Sequence, residues 1–436
     1  MMKGSLWLAS IIAIVLAGAV FIGSDSLLKM QEEPKPIVIL SPFNPTDTKL
    51  YQRQLDLYSR REGQPIQLIG AGGNFADLVR GQLPMEIPAD LAIFPQPGVY
   101  SELARQGKLT PFSQQQVSEL KRTFPPDLVN LSTVEGKVYG IWIRFALKSL
   151  IWYRADIFRQ LGYSIPTTLS ELRQLEEQII ADGMVPWCIA VDDKGARGWP
   201  ATDWVEEYLI RHSREGLYDD WINHRVPFSN PQIVAALADF QQLATDSKRT
   251  YGGAETVLST PIVDGVFGLF DTPPVCLMHR QEDWIRASFP EGTQFGINGQ
   301  INVMLYPSVS ATDLRVLSAG DILGALNDRP EVIKLMLYMG SEEFGRRMAS
   351  SGSHFSAHLK VKGDAYPDEI SRRIAGYWRL ARVIRFDASD MMPPEVGTGA
   401  FWDGMIDLLE GMPPEQVARN IDAAWPEQQP TTSPAK

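Results

Sequence analysis

Apolar and polar positions alternate along this chain in short blocks whose period switches between that of a strand and that of a helix. IVIL (37–40) is a continuous apolar run stopped by Pro42, the pattern of a short buried strand. From Leu50 to Arg61 the apolar residues recur with helical spacing, and Gly63 ends the run. PIQLI is a second strand leading into Gly70-Ala-Gly-Gly-Asn74, after which Phe75 to Leu83 is again helical. ADLAIF (89–94) is the third strand, closed by Pro95-Gln-Pro-Gly98, and Tyr100 to Arg105 the next helix. Such alternation predicts an α/β fold with a mostly parallel sheet covered on both faces.

The densest apolar stretch, Tyr139 to Tyr153, predicts two extended runs, IWIRF and SLIWY. Two short strands with nothing bulky between them can carry a backbone from one domain into another. Arg144 stands inside the first run, where an unpaired charge costs several kcal/mol. It is therefore either paired within the core or facing a polar cleft between domains, and the cleft is the expectation. Helices dominate afterwards. Thr168-Leu-Ser-Glu171 is a capping box, Asn230-Pro231 an N-cap with proline at N1, and Ser341 a cap for a helix from Glu342. Asp203 to Arg211 and Pro330 to Met339 are further helices; WCIAV (187–191), VCLMH (275–279) and INVMLY (301–306) are strands.

A length of 436 residues suits two lobes rather than one core. The expected division is a leader or anchor with spacer (1–36), a first lobe (37–145 and 280–328), a second lobe (146–279 and 329–428) and a tail (429–436). The net charge of −11 argues against nucleic acid as a partner. Ser5 to Gly23 has no charged residue and spans roughly 28 Å as a helix, about one bilayer core. It is either a long cleaved signal or an uncleaved membrane anchor; in both cases the body works outside the cytoplasmic membrane. No cysteine follows the run, so a lipid-anchored amino terminus is not expected. The two cysteines, Cys188 and Cys276, lack metal spacing and are either buried thiols or, after export, one disulfide.

The chemistry-bearing stretches point to binding more than to catalysis. The glycine-rich turn before Phe75 lacks the third glycine of a dinucleotide fingerprint; it is a plain turn or a set of N–H donors, Asn74 and Phe75 among them, facing a cleft. No Walker, HExxH, GxSxG or CxxC motif is present, and neither a cofactor nor a metal is expected. Asp387 and Asp390 stand three apart, either a glycosidase dyad or a turn device with hydroxyl acceptors. Gly198-Trp-Pro-Ala-Thr-Asp-Trp204 presents Trp199 beside Asp203, either a sugar platform or a core Trp pair with Thr202 or Asp203 as N-cap. Trp402, in Thr398-Gly-Ala-Phe-Trp402, has the same two readings.

YGIWIRFALKSLIWYRADIF (139–158) followed by GYSIPTTLSEL resembles the hinge segment of bacterial extracellular solute-binding proteins for carbohydrates. GWPATDW, TPPVCLMHRQ and FDASDMMPPEVGTGAFW resemble the branch that binds α-glucosides, distantly like maltose-binding protein. The resemblance runs from about residue 37 to 428. It implies the two-lobed periplasmic-binding-protein fold, with hinge strands and a ligand cleft between lobes. A small glycoside would be bound by hinge closure and delivered to the permease subunits of an ABC importer, by a monomer and without bond-breaking. It further implies a Cys188–Cys276 disulfide and carries sugar contacts onto Trp402, Trp199 and Asp203, with Arg144 as the hinge charge. Gln96, Asp321 and Gln281 fall in stretches like first-lobe contact loops, and Asp390 becomes a hydroxyl acceptor. Departures stand out: the usual lipoprotein cysteine is missing, Trp142 replaces the hinge proline, and the hinge charge is basic where maltose-binding protein has an acid. The rival from another class is a membrane-anchored glycoside hydrolase.

Overall fold

The computed structural model describes residues 34–426 apart from 73–74, 82–84, 86–87, 194–195, 213–215 and 353. The apolar segment 5–23, Asn74 and the tail 429–436 lie outside the described residues. Among the described residues no helix is long and apolar enough to cross a membrane.

The first sheet runs β2 (Ile66–Gly70), β1 (Ile37–Ser41), β3 (Leu91–Phe94), β11 (Arg315–Ala325), β12 (Val383–Phe386), with β6 (Gly140–Leu147) pairing β11. β1 is parallel to β2 and β3, as the strand–helix alternation predicts, while β11 returns antiparallel to both β3 and β6. The second sheet is β10 (Ile301–Leu305), β7 (Leu150–Arg154), β9 (Met278–Arg280), β8 (Trp187–Cys188). A separate ribbon joins β4 (Thr133–Val134) to β5 (Lys137–Val138). The two predicted runs around Arg144 thus end in different sheets, and Lys148-Ser149 is the crossing. Along β7 the side chains alternate: Leu150 and Trp152 pack in the first sheet's core, Ile151 and Tyr153 in a second core. Burial on both faces explains why this stretch has no polar alternation.

Several expectations are corrected. β10, placed with the first lobe, pairs with β7 in the second sheet. The helices Pro330–Met339, Glu342–Ala349 and Glu369–Leu380, placed in the second lobe, bury Leu335, Phe344 and Ile374 in the first core. Only from Ala388 onward does the carboxy-terminal part join the second core. Ser318 to Asp321, expected in a loop, lies inside β11, where Gly320 and two polar residues interrupt the apolar run. The first long helix begins at Pro45, with the Asn44 side chain accepting from the Thr46 and Asp47 N–H groups (2.8 and 2.9 Å). The capping box at Thr168 and the caps at Asn230 and Ser341 form as predicted.

Cys188 and Cys276 are joined by a disulfide, with Cα atoms 5.5 Å apart and a sequence separation of 88. Closing so long a loop restricts the unfolded chain, a term of about 2–4 kcal/mol. Urea unfolding of C188S/C276S is expected to lose that amount with an unchanged slope. A midpoint equal to that of the native chain would show that the link does not hold the fold.

Candidate functional site

Two backbone connections join the two sheets, Lys148-Ser149 and the segment between β10 and β11, and a third, Asp387 after β12, leads from the first sheet into the second core. The helix Trp199–His212 runs beside all three. It starts earlier than the sequence predicts, so Asp203 is inside the helix and not its cap. Asp203, Glu207 and Arg211 are four apart and share one face. All three, with Glu206, are buried (0–3% exposed).

Each buried charge has a partner on a crossing. Lys148 Nζ donates to Asp203 Oδ1 at 2.9 Å and also to Asp387 Oδ2. Arg280 links Asp203 (3.4 Å) to Glu207 (3.0 Å). Ser149 Oγ donates to Glu207 and accepts from the Leu317 N–H at 2.7 Å. Arg211 pairs with Glu207 and donates to the carbonyls of Pro307 (2.7 Å), Tyr306 (3.1 Å) and Arg315 (2.8 Å). Glu206 accepts from the Ala388 N–H (2.9 Å), the Ser389 N–H (3.3 Å) and the Tyr218 hydroxyl (3.0 Å). Burial opposes the charge on Lys148, but Asp203 and Asp387 outweigh it and keep the ammonium protonated. Burial likewise opposes ionisation of Asp387, and Lys148 nonetheless holds it below the usual carboxylate range. Oxygens of Asp203, Glu206 and Asp387 lie within 4.8 Å of one another, a spacing a metal ion could use. Lys148 already supplies the balancing charge there.

Above this floor stand aromatic walls. Trp199 is half-buried, its ring centroid 4.9 Å from Lys148 Nζ and 6.4 Å from that of Trp284. Its indole N–H donates to Asp193 at 2.8 Å. Gly198, at φ +103°, lies so close to Trp402 that a Cβ there would sit 2.2 Å from the Trp402 carbonyl oxygen. Trp402 is also half-buried and donates from Nε1 to Ser389 Oγ at 3.1 Å. Beside it is Asp390, pushed well above the ordinary carboxylate range by burial and then by Asp387. A neutral carboxyl both donates and accepts. Gln96 opens the helix Pro97–Arg105, whose Gly98 packs on the Asp390 and Met392 carbonyls.

Arg144 forms the opposite end. It pairs with Asp283 (3.3 Å), Glu282 (3.4 Å) and Asp321 (3.6 Å), next to a β-bulge that sets Asp321 opposite it. A cavity of ≈ 350 Å³ opens here, lined by Asn44, Asp47 and Tyr51 from the first lobe and by Val263, Trp284 and Arg144. His354, also on this cavity, has Nε2 3.1 Å from the Ile143 carbonyl and Nδ1 3.1 Å from the Tyr51 hydroxyl. A carbonyl only accepts, so Nε2 carries the proton and Tyr51 donates to Nδ1. Burial, with Arg144 adding to it, lowers the His354 pKa to about 3, so the ring is neutral.

Trp199, Trp402 and Asp390 thus meet around the Lys148 pair, Gln96 opens the helix that packs on Asp390, and Arg144 with Asp321 stands by the cavity that Trp284 shares. Three predicted contacts are corrected. Phe75 is 3% exposed, its ring edge-on to Phe94 in the core. Gln281 is buried, its side-chain oxygen accepting the Glu282 N–H (2.8 Å) and its carbonyl the Trp152 indole N–H (3.0 Å). Asp203 spends both oxygens on Lys148 and Arg280 and lies beneath the crevice. Sequence reasoning missed Lys148, whose signal was a lone charge between two apolar runs, and Trp284, which carried none.

Compared with known proteins, residues 64–257 match the family described as bacterial extracellular solute-binding protein. The chain is 35% identical over 401 residues (91% of it, 93% of the relative) to the osmoprotective compounds-binding protein GgtB of Synechocystis sp.. It is 32% identical over 397 residues (89% and 86%) to the α-glucosides-binding periplasmic protein AglE of Rhizobium meliloti. In fold it is similar to maltose-bound MalE3 of T. maritima, with TM-score 0.68, 17% identity, and 89% of this chain and 98% of that one covered.

Removing one partner from a buried ion pair strands the other. K148M is therefore expected to lose about 3–5 kcal/mol in denaturant unfolding, and D387N on that background to regain part of it. Additive losses would show that Lys148 and Asp387 do not act as a pair.

Proposed function

This chain belongs to the bacterial extracellular solute-binding proteins, and from that premise we propose that its solute is an α-glucoside or a related small glycosyl compound. It works outside the cytoplasmic membrane as the solute-binding component of an ABC importer. The ligand class includes trehalose, sucrose, maltose-type sugars and glucosylglycerol-like osmolytes.

The observation that carries this reading is the meeting of Trp199 and Trp402 with Lys148 and Asp390 at the crossing between the sheets. The apolar CH face of a pyranose stacks on an indole, while a neutral carboxyl and a paired ammonium exchange hydrogen bonds with its hydroxyls. Arg144 and Lys148 are each already held by two or more carboxylates, which disfavours an anionic ligand. The cavity of ≈ 350 Å³ beside Arg144 is at the low end of small-molecule pockets, roughly 300–1,000 Å³, and it adjoins this meeting point through Trp284, whose ring lies 6.4 Å from that of Trp199. The names of the two relatives, for osmoprotective compounds and for α-glucosides, agree with this class.

In this reading the lobes close over the solute by bending at the three crossings, with Trp199 and Trp402 stacking, Asp390 and Asp321 accepting, and Arg144 and Lys148 donating. The solute leaves unaltered. Of the Asp387–Asp390 pair, Asp387 is held below the usual carboxylate range in its buried ion pair with Lys148, which favours a binding role over hydrolysis by paired carboxyls. Closed and loaded, the monomer would dock on the permease subunits, held near the membrane by residues 5–23 if that segment stays uncleaved.

Calorimetry with the purified chain is expected to give a Kd in the micromolar range or tighter for at least one of these compounds, about −8 kcal/mol. W402A is expected to cost about 1–3 kcal/mol of it. Unchanged affinity in W402A would remove that ring from the site, and turnover of a chromogenic glucoside would favour the hydrolase.

A further inference from the structure

A second cavity, of ≈ 250 Å³, lies in the second lobe, away from the crevice. It is walled by the helices Leu169–Ala181, Trp199–His212 and Pro231–Thr245. On the middle helix, Tyr208 follows Glu207 and His212 follows Arg211. Each is turned about 100° from the buried ion row, so the helix serves the hinge with one face and this cavity with another.

The floor holds two phenols. Tyr306 is 3% exposed, with its ring fixed under the Arg211 guanidinium (4.8 Å to the centroid) and edge-on to Trp204 at 6.1 Å. Tyr306 and Tyr208 both line the cavity, and among the described residues neither hydroxyl is engaged by a protein hydrogen bond. A phenol hydroxyl both donates and accepts, so these two are available to a molecule that enters. Beside them Glu176 is anchored by the Trp187 indole N–H (2.8 Å) and by Arg249 (3.2 Å).

The rim is polar and exposed: Arg173, His212, Asp239 and Gln242. Charges balance across the cavity, Arg173 and Arg249 against Glu176 and Asp239. Burial lowers the His212 pKa from its ordinary value, which keeps that ring neutral near pH 7. An adjoining space of ≈ 180 Å³ shares Tyr208, His212 and Asp239. Balanced charge with paired donors and acceptors selects neither anion nor cation; it matches a molecule that carries many hydroxyls and no net charge.

We propose that this cavity is an accessory binding site for a neutral polyhydroxylated molecule of monosaccharide size, independent of the crevice between the lobes. Glucose is the probe, and equilibrium dialysis of the full chain counts moles bound. A class of binding on the order of millimolar is expected, one that W402A leaves in place and Y208F/Y306F weakens about tenfold or more. Phenylalanine keeps both rings and removes only the hydroxyls; Y208F alone gives the same reading if the double variant unfolds. Absence of glucose binding in W402A, or native-like binding in the tyrosine variants, overturns the accessory site. Loss of a Trp402-independent step alone leaves the crevice reading untouched, so the two fail separately.

Discussion

The ammonium of Lys148, held between Asp203 and Asp387, is the contact on which the rest of the molecule depends. It joins three distant parts of the chain: the crossing out of the first sheet, which carries Lys148, the helix of the second lobe, which carries Asp203, and the crossing after β12, which carries Asp387. A lysine buried without such partners would lose its charge or open the fold. The same helix continues the arrangement, with Glu207 gripping Ser149 and Arg280, and Arg211 gripping the carbonyls of the remaining crossing. The three connections are therefore tied into one buried joint. The two cores meet along β7, whose Leu150 and Trp152 pack with the first and Ile151 and Tyr153 with the second.

That joint also forms the floor of the crevice. Lys148 meets the Trp199 ring from below, and Asp387 orders Ser389, whose hydroxyl holds the Trp402 indole. Ring orientation is thus fixed by the same charges that hold the hinge. A pre-set stacking surface lowers the ordering cost of binding a flexible, hydroxylated solute. At the other end, Arg144 stands among Asp283, Glu282 and Asp321, and the Asp321 Oδ2 is buried without a hydrogen-bond partner among the described residues. A site built from paired charges and fixed rings suits a neutral compound that is captured and released.

Much of this was legible in the residues and some was not. The apolar run around Arg144 gave the crossing, because strands covered on both faces leave no polar alternation. Caps at Thr168, Asn230 and Ser341 were readable because capping is local. β11 was not: Ser318, Gly320 and Asp321 break its pattern, and it is a strand only because β3, β6 and β12 all pair with it. Trp199 and Trp402 stood out as rings in turns, but Asp203 looked like a cap and proved to be a buried partner of Lys148. Phe75 and Gln281 followed family-like positions and went into the core instead, where neighbours that are distant in sequence decide burial. Trp284 and the Tyr51–His354 pair depend wholly on tertiary contact.

The central claim is that two intact halves hinge at this buried joint and shut over a glycosyl solute. Small-angle scattering of the purified chain, with and without a saturating α-glucoside of micromolar affinity, tests it most directly. Closure at the joint gives a smaller radius of gyration with the sugar bound, reversed on dialysis, with the sugar recovered unchanged. An identical scattering profile at full occupancy, or a cleaved sugar, would contradict it.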